Sequence, residues 1–120
     1  MSRAAVVGSR TFDNYSFLEA ILNTIRLRFT LITEIISGGA KGADSLAETY
    51  ARRCNLKITV YKPDWDKYGK GAGFIRNASI VEEADMVIAF WDGKSKGTKD
   101  TIDKALKAKK NTFVFFFEED

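Results

Sequence analysis

Three short stretches, rich in glycine, hydroxyls and charge, hold the residues best suited to do chemistry. The densest is Ser37-Gly38-Gly39-Ala40-Lys41-Gly42-Ala43-Asp44, where the β-branched run ending in Ile35 and Ile36 gives way to a helical pattern from Asp44. Glycine admits φ > 0 and lets a ligand approach the main chain closely. A helix start offers unpaired amides and the positive end of a dipole, so an anion is the expected guest. Lys41 adds a mobile positive charge. Ser37, Gly38, Gly39, Ala40 and Lys41 therefore read as a phosphate cradle, although a plain strand-to-helix connection also favours glycine. The second stretch, Gly8-Ser9-Arg10-Thr11, adds hydroxyls and a guanidinium suited to clamping a phosphate or carboxylate. The third, Asp92-Gly93-Lys94-Ser95-Lys96-Gly97-Thr98, offers two more hydroxyls, at Ser95 and Thr98, both of types that also cap helices.

Two carboxylates follow these turns. Asp44 stands at a helix start, where it either complements the dipole or takes a task beside the anion, such as holding ribose hydroxyls or orienting Lys41. Asp92 follows a strand and invites the same reading. These two are the candidate catalytic acids. Trp65, Tyr68 and Trp91 have rings that can stack on a base; for Trp65 and Tyr68 the rival role is anchoring their own loop. Arg76 and Asn77 open a helix next to that loop and are placed to close over a crevice.

Composition narrows the chemistry. The chain has 120 residues, 45% hydrophobic and 29% charged, the range of an ordinary globular domain, and residues 1–120 read as one domain. It has no histidine, which removes the commonest general base, the commonest zinc ligand and any Ser-His triad. No metal-ligand constellation is visible, so no metal is expected. The net charge is +3 and the pI about 9.0, which permits an anionic ligand or nucleic acid without demanding either. The single cysteine, Cys54, falls on an apolar helix face and reads as a small buried hydrophobe. A lone cysteine, no signal-peptide pattern and no apolar run of membrane-spanning length fit a soluble, cytoplasmic chain with no membrane partner.

The elements that must position these residues alternate. Residues 4–7, 33–37, 57–61, 86–91 and 113–117 read as strands. Helical stripes lie between them: Phe17, Leu18, Ile21, Leu22, Ile25 and Phe29, capped by Asp13 or Asn14; Leu46, Ala47, Tyr50, Ala51 and Cys54; Ile75, Ala78 and Val81; and Ile102, Ala105 and Leu106 in a last helix over 98–110. Residues 62–73 form a loop, long for its place and for that reason of functional interest. The charged end, Glu118, Glu119 and Asp120, keeps a greasy edge strand soluble. This alternation predicts a single Rossmann-like, three-layer α/β domain whose five-stranded parallel sheet carries helices on both faces. In such a sheet ligands bind beyond the carboxyl ends of the strands where the strand order reverses. The turns after the first, second and fourth strands would converge there.

With these residues in place the chain resembles a family. Val7-Gly8-Ser9-Arg10-Thr11-Phe12, the stretch from Ser37 to Asp44 with Leu46-Ala47, and then Asp64-Trp65, Tyr68-Gly69, Ala72-Gly73, Arg76-Asn77, Ala89-Phe90-Trp91-Asp92-Gly93 and Gly97-Thr98 are similar to the small stand-alone members of the SLOG superfamily, in the YspA-type branch found in bacteria and their phages. The superfamily joins the DNA-processing protein A (Smf) group and the "Lonely guy" phosphoribohydrolases. The resemblance implies a Rossmann-like fold that binds a nucleotide or nucleotide-derived ligand, and a homodimer. It does not deliver an activity. Anchored on Gly97-Thr98, the glutamate that does catalytic work in the phosphoribohydrolases falls on Thr101; Asp100 is one residue away, about 100° round a helix, and the Pro-Gly-Gly lead of that motif is missing.

Three functions are then expected in order. The first is a binding module or sensor for a nucleotide or an NAD/ADP-ribose-like ligand, using Gly8, Ser9, Arg10, Gly93, Ser95, Gly97 and Thr98 with the Ser37–Asp44 turn. The second is an N-glycosidase acting on nucleoside monophosphates. The third is a binder of single-stranded nucleic acid.

Overall fold

The computed structural model describes residues 2–28 and 32–118. Along the chain run β1 (Ser2–Gly8), α1 (Tyr15–Arg28), β2 (Ile32–Ser37), α2 (Ala43–Arg53), β3 (Lys57–Val60), α3 (Trp65–Tyr68), a 3-10 turn at Gly69–Gly71, α4 (Ala72–Glu83), β4 (Met86–Trp91), α5 (Lys96–Lys107) and β5 (Asn111–Phe116).

Alternation within the strands sorts the core into two. Ala4, Val6, Ile35, Met86, Ile88 and Phe90 face one side of the sheet, against Leu18, Leu22 and Ile25 of α1 and Ala47, Tyr50 and Ala51 of α2. Ala5, Val7, Ile36, Val87 and Ala89 face the other, under Ile80 and Val81 of α4 and Ile102 and Ala105 of α5. Successive strand side chains point to opposite faces, so an unbroken apolar run such as residues 4–7 suits only a strand covered on both sides. That gives the expected three layers.

All strand pairs are parallel, and the sheet order is β3-β2-β1-β4-β5. The chain winds outward from β1 to β3, then crosses back to β4 on the far side of β1. The order reverses between β1 and β4, as expected of a Rossmann-like strand order.

The helix ends follow their capping residues. Asn14, rather than Asp13, caps α1, its Oδ1 accepting from the Phe17 amide at 3.0 Å. Ser95 caps α5, which starts at Lys96 and stops at Lys107 instead of spanning 98–110. α2 starts at Ala43, one residue before Asp44. Cys54 follows α2 partly buried against the first core. The long loop over 62–73 is partly regular, holding α3, capped by Asp64, the 3-10 turn and the start of α4. Tyr61 and Phe117 lie just beyond β3 and β5, with their amides still donating to Ser37 O and Trp91 O.

Three side chains expected inside are outside. Ile75 and Ala78 of α4 are exposed, and Leu106 of α5 is 59% exposed. α4 buries Asn77 and Ile80 with the expected Val81, and Ala84 just past its end completes an i, i+3, i+4, i+7 set. α5 turns Thr98, Thr101, Ile102 and Ala105 inward. In both helices a polar residue with internal hydrogen-bond partners sets the roll, and the apolar residues alone did not reveal it. Phe29, Glu119 and Asp120 lie outside the described residues. No described helix is long and apolar enough to cross a membrane.

Candidate functional site

The turn after β1 is fastened before it reaches the cleft. A Cβ on Gly8 would run into the Phe90 carbonyl and, at 2.6 Å, the Ala43 methyl, so only glycine lets β1, β4 and α2 close up here. Ser9 is buried; its amide donates to Phe90 O at 2.9 Å, and its Oγ accepts from the Asp92 amide at 3.2 Å. Phe12, 2% exposed, then plunges into the core and stacks on Phe90 at 4.8 Å between ring centres. Between these two anchors Arg10 and Thr11 stand exposed at the rim.

The glycine turn after β2 is filled by the protein itself. Asp44, 5% exposed, accepts from the Gly38 amide through Oδ2 at 2.8 Å, with the Ala40 amide close enough to favour its charged form. Its carboxylate sits where an external anion was expected to take those donors. Burial pushes its pKa up to about 6 against the lowering pull of those amides and of Arg76. Ser37 is likewise committed: its Oγ donates to Glu48 Oε2 at 2.8 Å and accepts from the Gly39 amide at 3.0 Å. Gly42, at φ 79°, packs against the carbonyls of Ser9 and Arg10, where a side chain would have no room. The cradle expected of Ser37–Ala40 is thus an internal clasp around Asp44.

The turn after β4 is ordered by Asp92, whose Oδ1 accepts from the Lys94 and Ser95 amides, each at 2.8 Å. This Asx turn feeds α5, and Ser95 takes the Thr98 amide with its Oγ. The first amides of a helix have no intrahelical acceptor, so the start of α5 faces the cleft as its positive pole.

Arg76 and Asn77 tie these turns together. Arg76 Nη1 donates to Gly38 O at 2.6 Å, and its Nε to Asn77 Oδ1 at 2.9 Å. Asn77 Nδ2 donates to Gly97 O and to Asp100 Oδ2, at 3.2 and 3.1 Å, and Asp100 holds Lys104 at 2.6 Å. Asn77 is 5% exposed. It is a fixed joint between α4 and α5, in place of the closing flap expected from sequence. Burial lowers the Arg76 pKa first, Asp44 opposes that, and the like charge of Arg10 lowers it further. Two guanidiniums thus share one cleft in mutual repulsion.

The result is an inner cleft of about 380 Å³ at the carboxyl ends of β1 and β4. It gathers Gly8, Ser9, Arg10, Ala40, Asp44, Asp92, Ser95, Gly97 and Thr98 of the expected site, with Arg76 and Asn77. Thr11 and Thr101 also line it. Thr101 Oγ1 donates to Gly97 O at 3.2 Å, so a buried hydroxyl occupies the position aligned with the phosphoribohydrolase glutamate. An adjoining outer cleft of about 590 Å³ takes Gly38, Gly39 and Trp65.

Several expected site residues stand elsewhere. Lys41 is exposed and lines neither cleft, because the turn at Gly42 carries it away from the crevice. Gly93 also lies outside both. Trp91 braces the start of α5, its Nε1 donating to Ser95 O at 3.0 Å and its ring tilted on Phe116. Tyr68 lines a separate hollow beside Ile75 and Ser79. Lys62, Lys70 and Phe74 of the outer cleft were passed over in the sequence; Phe74 stands seven residues before the buried Val81 and so reads as part of the buried face of its helix, although it is 49% exposed. Among the described residues no group of three or more His, Cys, Asp or Glu side chains is placed to hold a metal ion.

Comparison with known proteins agrees with this architecture. The chain is 34% identical over 116 residues to the Gene 61 protein of Mycobacterium phage D29, covering 90% of this chain and 91% of that one. Its fold matches DNA processing protein A (DprA) from Streptococcus pneumoniae with a TM-score of 0.77 at 20% identity, over 95% of this chain and 50% of that chain. DNA processing protein A from Helicobacter pylori, solved for its single-stranded DNA binding mode, matches with a TM-score of 0.71 at 24% identity, over 94% of this chain and 64% of that one. At these identities the likeness to both is one of fold. The profile of the family described as "YspA, cpYpsA-related SLOG family" matches residues 2–68, more than half the chain, and the protein belongs to that family.

Proposed function

We propose that the chain is a binding module, acting as a sensor, for a nucleotide or nucleotide-derived ligand of the NAD/ADP-ribose kind, held by its phosphate in the inner cleft. One observation carries this reading: Arg10 and Arg76 face the same cleft beside the start of α5, while Asp44, a carboxylate of that cleft, is already turned onto the Gly38 amide. A phosphate between the guanidiniums relieves their repulsion and meets a positive helix end. Thr98 and Thr11 supply hydroxyl contacts at the same wall.

The test is calorimetric titration of the chain with AMP and ADP-ribose. Charge-assisted hydrogen bonds are each worth about 1.5–3 kcal/mol, so Arg10→Ala, at an exposed position of the same cleft, is expected to weaken binding roughly 10- to 100-fold with the melting temperature nearly unchanged. Equal affinities for the variant and the parent chain would remove the inner cleft as the site.

A second reading, single-stranded DNA, draws support from the subject of the Helicobacter pylori structure and from the basic and aromatic outer cleft. Steep salt dependence with oligonucleotides and none with mononucleotides would favour it. The N-glycosidase reading has less support, since Thr101 offers no carboxylate and Asp92 is folded into its own turn; released base from nucleoside monophosphates would restore it. The expected homodimer is read from the mass in solution by light scattering.

A further inference from the structure

The inner and outer clefts adjoin, sharing Arg10, Ala40, Arg76, Asn77 and Gly97 in their walls. Their chemistry differs. The inner cleft includes Asp44 and Asp92, whereas no acidic side chain lines the outer one among the described residues. There Lys62 and Lys70 join the two arginines, and two large rings face the same space: Trp65, 55% exposed, and Phe74, 49% exposed.

These rings are presented by built structure. Asp64 caps the short α3 that carries Trp65, accepting from the Lys67 amide at 3.1 Å. Gly73 lies beside the indole, where a Cβ would make ordinary contact with the ring at 3.8 Å. Gly39, at φ 74°, turns the chain after β2 close beside the Val60 side chain, with the Lys62 stem alongside. A flat ring beside a cation, next to a phosphate site, is the pattern that receives a base and the phosphate joining it to its neighbour.

We infer that the outer cleft is a second nucleoside subsite, and that the ligand is two nucleoside units joined through phosphate, one in each cleft, with Arg10 and Arg76 on the linkage between them. This rests on the phosphate reading of the inner cleft. The sizes agree: about 380 Å³ is near the lower end of ligand sites, and the outer cleft adds about 590 Å³ to it. The shared chemistry has two sources, a 5′–5′ pyrophosphate-linked dinucleotide or two adjacent nucleotides of a single strand.

The test is titration of the full chain with AMP, with diadenosine 5′,5′-diphosphate and with the DNA dinucleotide d(pApA). At least one two-unit probe is expected to bind tenfold or more tightly than AMP, and the preferred probe identifies the source. Stacking on one ring accounts for a gain of this order. Trp65→Ala, at an exposed position, is expected to abolish the gain while leaving AMP affinity and melting temperature unchanged, and Lys70→Ala to reduce it in part. Two-unit probes no tighter than AMP, or a gain that survives Trp65→Ala, overturn the second subsite and leave the inner site standing. Absence of binding by all three probes overturns both.

Discussion

The two clefts meet at Arg76 but are built on opposite plans. In the inner one these polar side chains are committed to the protein: Ser9 to the turn after β4, Asp44 to the turn after β2, Asn77 to Arg76 and to Gly97 and Asp100 of α5. Its rim is set by Phe12, buried 78 residues away in sequence from its stacking partner Phe90. In the outer one, side chains project from a four-residue helix and the first turn of α4 into solvent. The difference separates shape from affinity. Changes to the inner wall should disturb folding or the placement of neighbouring turns; changes to the outer wall should alter only what is held there.

The contrast is sharpest at Phe12. Truncation of a fully buried aromatic typically costs about 3–5 kcal/mol, so Phe12→Ala is expected to lower the urea midpoint severely, in contrast to the silent Trp65→Ala. A mild loss would mean that the turn after β1 is held by Ser9 alone. Asp44 gives the next effect. Its folded pKa, raised to about 6, exceeds the ordinary carboxylate value, so between roughly pH 4 and 6 the folded chain keeps a proton that the unfolded chain has released. Stability contributed by this group is therefore full at acid pH and falls as pH rises through that window, by on the order of 3 kcal/mol. Stability against pH, measured for the parent chain and for Asp44→Asn, should differ by that falling slope; superimposable curves would place Asp44 in a wetter setting. Smallest of all is Lys41→Ala. With its side chain outside both clefts, the variant should match the parent within about 0.5 kcal/mol in stability and bind AMP equally; a tenfold loss would bring Lys41 back to the ligand.

What the sequence could reveal follows the same division. Apolar parity in residues 4–7 and 86–90 was enough for a parallel sheet covered on both faces, because burial on two sides leaves a continuous run. The meeting of the turns after β1 and β4 followed from the strand order. Less legible was which polar group answers which. Ser37, Gly38 and Asp44 have the types and spacing of an anion cradle, and the structure uses them as one, with the anion supplied by Asp44. Spacing cannot tell an internal carboxylate from an external phosphate. The roll of α4 was hidden for a related reason: Asn77 faces inward through hydrogen bonds, against the pull of Ile75 and Ala78 in a hydrophobic pattern.

β1 lies in the middle of the sheet, and one of its two neighbours is β4, with Ala4 beside Met86 and Val6 beside Ile88. A ribosome must therefore finish most of the chain before the first strand can acquire its second partner. Until then β1 and β2 present an open, strongly apolar edge, and pairing across so long a stretch is slow. The nascent molecule thus passes through a period of exposure to aggregation that the finished one no longer shows.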